Sequence, residues 1–465
     1  MCDHLAMGNE MKRTALRGIQ TLGCSALALL ALAVPATAAP NALIGTGPFT
    51  PRLIPDEGGV YMPQVVASPN GDGTVFWQQL DLLTSKWTVN YVQIDSHYAV
   101  DGTVSAASYV SNNEVRPDPL GVAAGPDGAA AIAQHYYDGS HWRIRLGRID
   151  STGRIGTPLA ISAATKDSNS PLVGLDSKGN GVVAWLTDET GAGGWVLHWC
   201  TYSAAGKTGA IQSANAKTTT VAGVPSISTS PAGVTTIAYR LRDVAKAKYS
   251  LQAIRIGANG KLAKSITVSA ASPAIINTPA QATALNGYTA LTWSAPSTSG
   301  NIIKVAMINP SGLVKVSNAL GDVANNSTKP KIAVGSSGAA AVVWQEEGTD
   351  TTVVRAARIT TAASASVTSR LSVSELNALD PQVSAGYDGS AVVSWTYCLP
   401  DFSSPINGFV RYGTRGGMSP RRDMTFIGSE TASITATASP PSGHAIIASQ
   451  IEGTDTSQVE AWYDL

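Results

Sequence analysis

The sequence predicts an all-β protein, a β-propeller of eight four-stranded blades, with seven blades as the alternative. Three observations predict it: a motif that returns every 51 to 57 residues, strand-period alternation within each copy, and turn residues at fixed offsets.

The motif is a Pro, alternating apolar residues, a Gly eight positions after the Pro and an aromatic fourteen after it. It reads Pro63, Val65, Gly71, Trp77, then Pro171, Val173, Gly179, Trp185, then Pro225, Ile227, Gly233, Tyr239. It returns as Pro279, Gly287, Trp293, as Pro330, Ile332, Gly338, Trp344, and as Pro381, Val383, Gly389, Trp395. Two degenerate copies complete the set: Leu120, Val122, Gly128, Gln134, and Ile434, Ala436, Gly443, Ser449. The last is tied to its neighbours by a shared Glu-Gly-Thr-Asp-Thr, at 347–351 and 452–456.

Each copy is a predicted hairpin. Its first strand alternates apolar and polar residues, a turn rich in Gly, Asp, Asn or Ser follows, and the second strand is apolar. Third strands follow at 89–94, 144–149, 197–202, 251–256, 303–308 and 354–359, and a second turn leads to a weaker fourth. Four strands per repeat of this length match a propeller blade. The segment 44–54 precedes the first hairpin and is placed to supply the strand missing from the last blade (458–465), which would close the ring and hide an open edge. A position shared by all copies serves the ring, so the recurring aromatics are expected between blades and the glycines in turns.

Residues 1–38 read as a signal peptide, with the true start at Met11: Lys12, Arg13 and Arg17 are followed by an apolar run and by Ala36-Thr37-Ala38. The expectation is a secreted protein, extracellular or periplasmic, with 39–465 as one propeller domain. Removing that segment takes 32 basic and 32 acidic residues to 29 and 30. So balanced a chain has no electrostatic reason to seek nucleic acid. No later stretch is long and apolar enough for a membrane span, so no membrane insertion is expected. Cys24 lies too early in the apolar run for lipid acylation. Cys200 and Cys398 fall in different repeats and are expected not to pair.

These Pro-x-Val-x5-Gly-x5-Trp copies resemble repeats of secreted bacterial propeller proteins, loosely like the WD40-type and sialidase-type groups. The resemblance implies architecture alone. The nearest approach to a sialidase Asp-box has Thr74 where Gly belongs, and neither paired WD40 nor kelch signatures are present.

Candidate sites come from asymmetry between copies, on the face that carries the loops from second to third strands. The second repeat departs most, with His135, Tyr136, Tyr137, Asp138, His141 and Trp142. Aromatics with polar tips suit stacking on sugar rings or peptide groups. The histidines with Asp138 match no metal-ligand spacing, so neither a metal nor any cofactor is predicted. The seventh repeat carries a predicted long loop, 397–408, with Cys398, Asp401 and Phe402. Arg240 and Arg242 are placed to clamp an anionic sugar or carboxylate. Carboxylates after second strands, Asp188, Glu189, Glu346 and Glu347 with Asp350, Glu452 and Asp455, are weak candidates for acid/base chemistry on a glycoside. No phosphate-binding Gly loop, zinc-protease pair, nucleophile elbow or EF-hand loop occurs. The leading expectation is a binding module for carbohydrate or another cell-surface polymer. An extracellular glycoside hydrolase or polysaccharide lyase, and a protein-interaction scaffold, are the alternatives.

Overall fold

The computed structural model describes residues 52–54, 59–81, 86–94, 105–111, 120–214, 219–274, 277–322, 324–399, 405–424, 431–440, 445–452 and 457–464. The chain is an all-β β-propeller. In chain order its sheets are sheet 1 (59–111), sheet 2 (121–160), sheet 3 (168–213), sheet 4 (219–272), sheet 5 (280–316), sheet 6 (326–370) and sheet 7 (377–423). Strands within 431–464 together with Arg52–Ile54 make sheet 8. Seven of these have four strands and sheet 4 has five.

Sheet 3 shows the plan. Ser168–Leu175, Gly181–Asp188, Trp195–Tyr202 and Gln212–Ser213 pair in that order, each antiparallel to the next. The turn between the first two is built by Asp176, whose Oδ1 accepts from the Lys178 and Asn180 amides at 2.8 Å each. Gly179 sits there at φ 77°, a conformation that a side chain disfavours. Second strands are packed on both faces and are apolar over most of their length, as in Ala340–Glu347, where Ala340 to Trp344 are apolar and only Glu347 is exposed.

First strands pack against first strands of the neighbouring sheets, and sheet 1 meets sheet 8, so the ring closes on an inner wall of first strands. Strand pairing closes the ring as well. Arg52–Ile54 pairs with Ser457–Asp464, Arg52 opposite Ala461, which joins the two ends of the described chain in one sheet as the sequence predicts.

The repeated aromatic fills the seam with the preceding sheet. Trp77 packs with Ile446 and Ala448, Trp185 with Ala131 and Ile144, Trp344 with Ala290 and Val305, and Trp395 with Val343 and Ala356. All four indoles are 0 to 1% exposed. Where the repeat is degenerate, the neighbour compensates. Gln134 replaces the aromatic in sheet 2, and Phe76, Trp87 and Tyr91 of sheet 1 fill that seam. Ser449 replaces it in sheet 8, and Phe409 with Met424 of sheet 7 fill that one. Burying a large side chain in this way stabilises by about 1.5–3 kcal/mol each.

Three expectations need correction. Sheet 4 is not four-stranded, because its inner strand is split into Thr219–Val221 and Ser226–Thr229, both paired with Thr235–Asp243. Gly223, at φ 87°, and Pro225, which has no N–H to give, interrupt the ladder between them. In sheets 1, 3, 6 and 7 the same place carries only a register shift. The predicted loop at 397–408 is strand at both ends: Ala391–Cys398 runs on through Tyr397 and Cys398, both buried, and Ile406–Tyr412 resumes the sheet, while 400–404 lie outside the described residues. Likewise Ala130–Tyr137 and Trp142–Ile149 leave a turn of only four residues where an aromatic loop was expected. Cys200 and Cys398 are buried thiols in separate sheets, not halves of one disulfide. Among the described residues no helix is long and apolar enough to cross a membrane.

Candidate functional site

Two sets of polar contacts tie sheets 1 to 7 in succession and decide which side chains remain for a ligand. On the loop face, the first amide of a third strand donates to a side chain that opens the next sheet. Trp142 N donates to Asp167 Oδ1 at 2.8 Å, Trp195 N to Thr220 Oγ1 at 2.9 Å, Asn301 N to Asn326 Oδ1 at 3.1 Å and Thr352 N to Asn377 Oδ1 at 2.9 Å. Donor and acceptor are 25 residues apart in all four. On the opposite face, a side chain near the end of a third strand reaches the turns of the next sheet. Arg255 donates to the Asn309 carbonyl at 2.5 Å and the Gly287 carbonyl at 3.1 Å. Arg358 donates to the Gly389 and Gly413 carbonyls at 2.7 and 3.0 Å and to that of Tyr412. Gln93 reaches Gly128 O at 2.9 Å. Neither set was anticipated from the sequence. The constant spacing of the first was there to be found.

The candidate carboxylates are largely committed to contacts of their own turns and neighbouring strands. Asp188 closes the strand Gly181–Asp188, and its Oδ1 accepts from the amides of Thr190, Gly191 and Gly194 while Oδ2 accepts from Gly193. Burial works to raise its pKa, yet these hydrogen bonds together hold it below the usual carboxylate value. Glu189 pairs with Lys166 and with His198 Nε2 at 3.1 Å. The Lys166 ammonium outweighs burial and keeps the Glu189 carboxyl low. Glu346 is 1% exposed and accepts from Arg355 Nε at 2.7 Å, Asp322 N at 3.2 Å and Asn325 Nδ2 at 3.2 Å. Glu347, beside it, is exposed and accepts from Asn326 Nδ2 at 2.9 Å. Arg240 Nε donates to the Ala222 carbonyl at 2.7 Å, in the gap of the split inner strand. Arg240 and Arg242 both flank the Tyr249 ring, at 5.5 and 6.0 Å from its centroid.

The second-sheet group is the one the structure brings together. His135 stacks on Trp142 with centroids 4.2 Å apart, and Tyr137 tilts against the same indole at 5.4 Å. Asp138 organises the intervening turn, its Oδ1 accepting from Ser140 N at 3.0 Å and His141 N at 2.9 Å, while Arg143 Nη1 pairs with Oδ2 at 3.3 Å. The two backbone hydrogen bonds hold the Asp138 carboxyl below its ordinary value. Tyr136 carries the Arg145 guanidinium over its ring at 4.7 Å and packs onto the seam with sheet 1. His135 is buried, and Tyr136, Tyr137, His141 and Trp142 are part-exposed. Among the described residues no three His, Cys, Asp or Glu side chains converge as a metal-ligand set. Asp401 and Phe402 lie outside the described residues, as do Asp455 and the side chain of Glu452.

No family model matches the chain, and no curated protein does. Solved structures with a similar trace include a protein of unknown function from Dyadobacter fermentans, 11% identical over 64% of this chain and 95% of that one, with TM-score 0.41. The polysaccharide lyase Uly1 is 11% identical over 79% of this chain and 93% of that one, with TM-score 0.46. The β-propeller domain of the trilobed protease of Pyrococcus furiosus is 8% identical over 78% of this chain and 95% of that one, with TM-score 0.43.

Proposed function

We propose that this protein is a secreted binding module, with the five-stranded sheet counted as one of eight blades, that recognises carbohydrate or another cell-surface polymer through its loop face. One observation carries the reading. Tyr137 and Trp142 form a part-exposed aromatic pair, backed by buried His135 and flanked by the Asp138–Arg143 ion pair. A rigid apolar ring face beside polar groups that donate and accept is the arrangement a sugar ring fits. The pair needs no rearrangement to bind, because a four-residue turn and a strand ladder hold it.

The hydrolase or lyase reading has less support. Asp188, Glu189 and Glu346 each spend their carboxylate oxygens on contacts that hold the loop face together. The test is a broad glycan array probed with the purified chain and with Trp142→Ala. A coherent set of bound glycans, lost in the variant, is the expected result. A blank array with folded protein would overturn the carbohydrate reading in favour of a protein-interaction scaffold.

A further inference from the structure

The inner wall carries a second polar site, remote in sequence from the aromatic group. A cavity of about 470 Å³ opens where the first strands of sheets 5, 6 and 7 begin, lined by 277–280, 328–331 and 380–382 among others. The repeated Pro shapes it. Lys329 precedes Pro330 and Asp380 precedes Pro381, and both take left-handed backbone, at φ 49° and 51°. The register shifts at these same points, between Thr328 and Lys331 and between Leu379 and Gln382. Such bulges re-aim side chains out of the ladder; the left-handed turn before Pro recurs at Ser170, φ 52°, before Pro171, so it belongs to the repeat and the side chains it presents here are what differ.

The charges in the cavity do not cancel. Lys329 Nζ pairs with Asp380 Oδ1 at 2.6 Å. That leaves Lys331, which no hydrogen bond or ion pair engages among the described residues. Lys331 is half-buried, and burial lowers the pKa of its ammonium, with Lys329 pushing the same way and Asp380 opposing. The Thr328 hydroxyl, also on the wall, is buried and makes no hydrogen bond among the described residues. The carboxamides of Asn277 and Gln382 stand on either side, Asn277 Nδ2 donating to Ser294 Oγ at 2.5 Å and Gln382 Nε2 to the Asp380 carbonyl at 3.5 Å, so that their oxygens are the groups left to accept. A half-buried ammonium that faces a cavity without an ion-pair partner is placed to take a negative group from a ligand.

We propose that this cavity binds a hydroxylated carboxylate of monosaccharide size, a uronate-type sugar acid, with the Lys331 ammonium on the carboxylate and the Thr328 hydroxyl and flanking carboxamide oxygens on ring hydroxyls. The site does not depend on the aromatic pair of sheet 2 and stands or falls separately from it.

The test is calorimetric titration of the purified chain with glucuronate, glucose and inorganic sulfate. Glucuronate binds and glucose binds at least about tenfold more weakly, the worth of one charge-assisted hydrogen bond. Lys331→Met abolishes glucuronate binding without lowering the melting temperature, because it removes a charge that has no protein partner. Thr328→Val weakens glucuronate binding and serves as the second variant should Lys331→Met not fold. Trp142→Ala leaves glucuronate binding unchanged. Equal binding of glucose, undiminished binding in a folded Lys331→Met or Thr328→Val, or no glucuronate binding at all would overturn the proposal. Sulfate binding as tight as glucuronate would overturn the sugar-acid assignment, since the cavity would then read charge alone.

Discussion

The imidazole of His135 lies against the indole of Trp142, 4.2 Å between centroids, so a buried strand residue fixes the plane of a part-exposed one across the sheet. Tyr137 and Trp142 are direct cross-strand partners in the same ladder. The aromatic face is therefore set by backbone register as well as by side-chain packing. His135→Ala should loosen Trp142 without removing it. The expected outcome is weaker glycan binding, with about 0.5–1.5 kcal/mol of stability lost beyond the area effect, as for other stacked ring pairs. Chemical denaturation paired with binding titration checks both.

Arg358 bonds three carbonyls of the next sheet and lies 4.6 Å from the Tyr412 ring centroid. Arg358→Ala strips those acceptors at once and should cost about 3 kcal/mol, the range for hydrogen bonds to a charged donor. Arg358→Lys should recover only part of it, because an ammonium cannot span the positions that a planar guanidinium fork reaches. Thermal melts of the two variants measure the difference, and equal melting of all three proteins would refute the clamp.

Thr201 occupies in sheet 3 the place that Arg255 and Arg358 hold in sheets 4 and 6, one residue before the end of the third strand. A cleft of about 380 Å³ lies there, lined by Thr201, Gly233 and Gly257. Thr201→Arg should put a guanidinium within reach of the Gly233 and Gly257 carbonyls and stabilise by about 1 kcal/mol. A melting temperature lowered by the change would mean that the close approach of Thr201 to Gly260 leaves no room for it.

The repeat was legible because each blade writes its own Pro, Gly and aromatic at fixed offsets, and those answer to local turn geometry and to one seam. Ring closure was legible for the same reason: a strand was missing at one end and a spare strand stood at the other. What joins blades was harder to read. Arg255 and Arg358 look like ordinary outward positions of amphipathic strands until the next sheet's turns are placed beside them. The reach of the strands was also under-read. Tyr136, Tyr137, Tyr397 and Cys398 resemble loop insertions by composition, yet cross-strand pairing holds them in the ladder. Asp188 and Glu346 carried the right chemistry for an acid, but a sequence does not show how many donors already surround a carboxylate. The left-handed Lys329 and Asp380 gave no signal, since a residue before Pro ordinarily favours extended backbone.

The Lys166–Glu189–His198 cluster predicts a particular response to acid. Lys166 holds the Glu189 carboxyl below its ordinary 4.5, so the stability it contributes is complete above that pH and is lost as pH falls through the lower folded value. Burial holds His198 below its ordinary 6.5 against the pull of Glu189, so stability also declines as pH falls from 6.5 toward the folded value. Glu189→Gln should flatten the acid limb and deepen the decline below pH 6.5, because His198 then loses the group that favours its protonation. Urea midpoints collected from about pH 3 to pH 8 resolve the two limbs. An unchanged profile would show that the cluster does not couple to folding.

Glu346 separates the binding reading from the enzymatic one. Removing it leaves the Arg355 guanidinium and the Asp322 and Asn325 donors unanswered around a buried position. Glu346→Ala should cost about 3 kcal/mol, the lower part of the range for breaking a buried ion pair, with glycan binding at the aromatic pair retained in the folded fraction. Turnover of a polysaccharide by the unaltered protein, lost in a folded Glu346→Gln variant, would restore the acid/base role.

The most direct measurement is the affinity of the best array glycan for the unaltered protein and for Trp142→Ala, by calorimetry under one buffer condition. The account predicts at least about a tenfold loss of affinity in a variant that remains folded, since one stacked ring contributes on that scale. Equal affinity in the two proteins would contradict it and move recognition away from the second sheet.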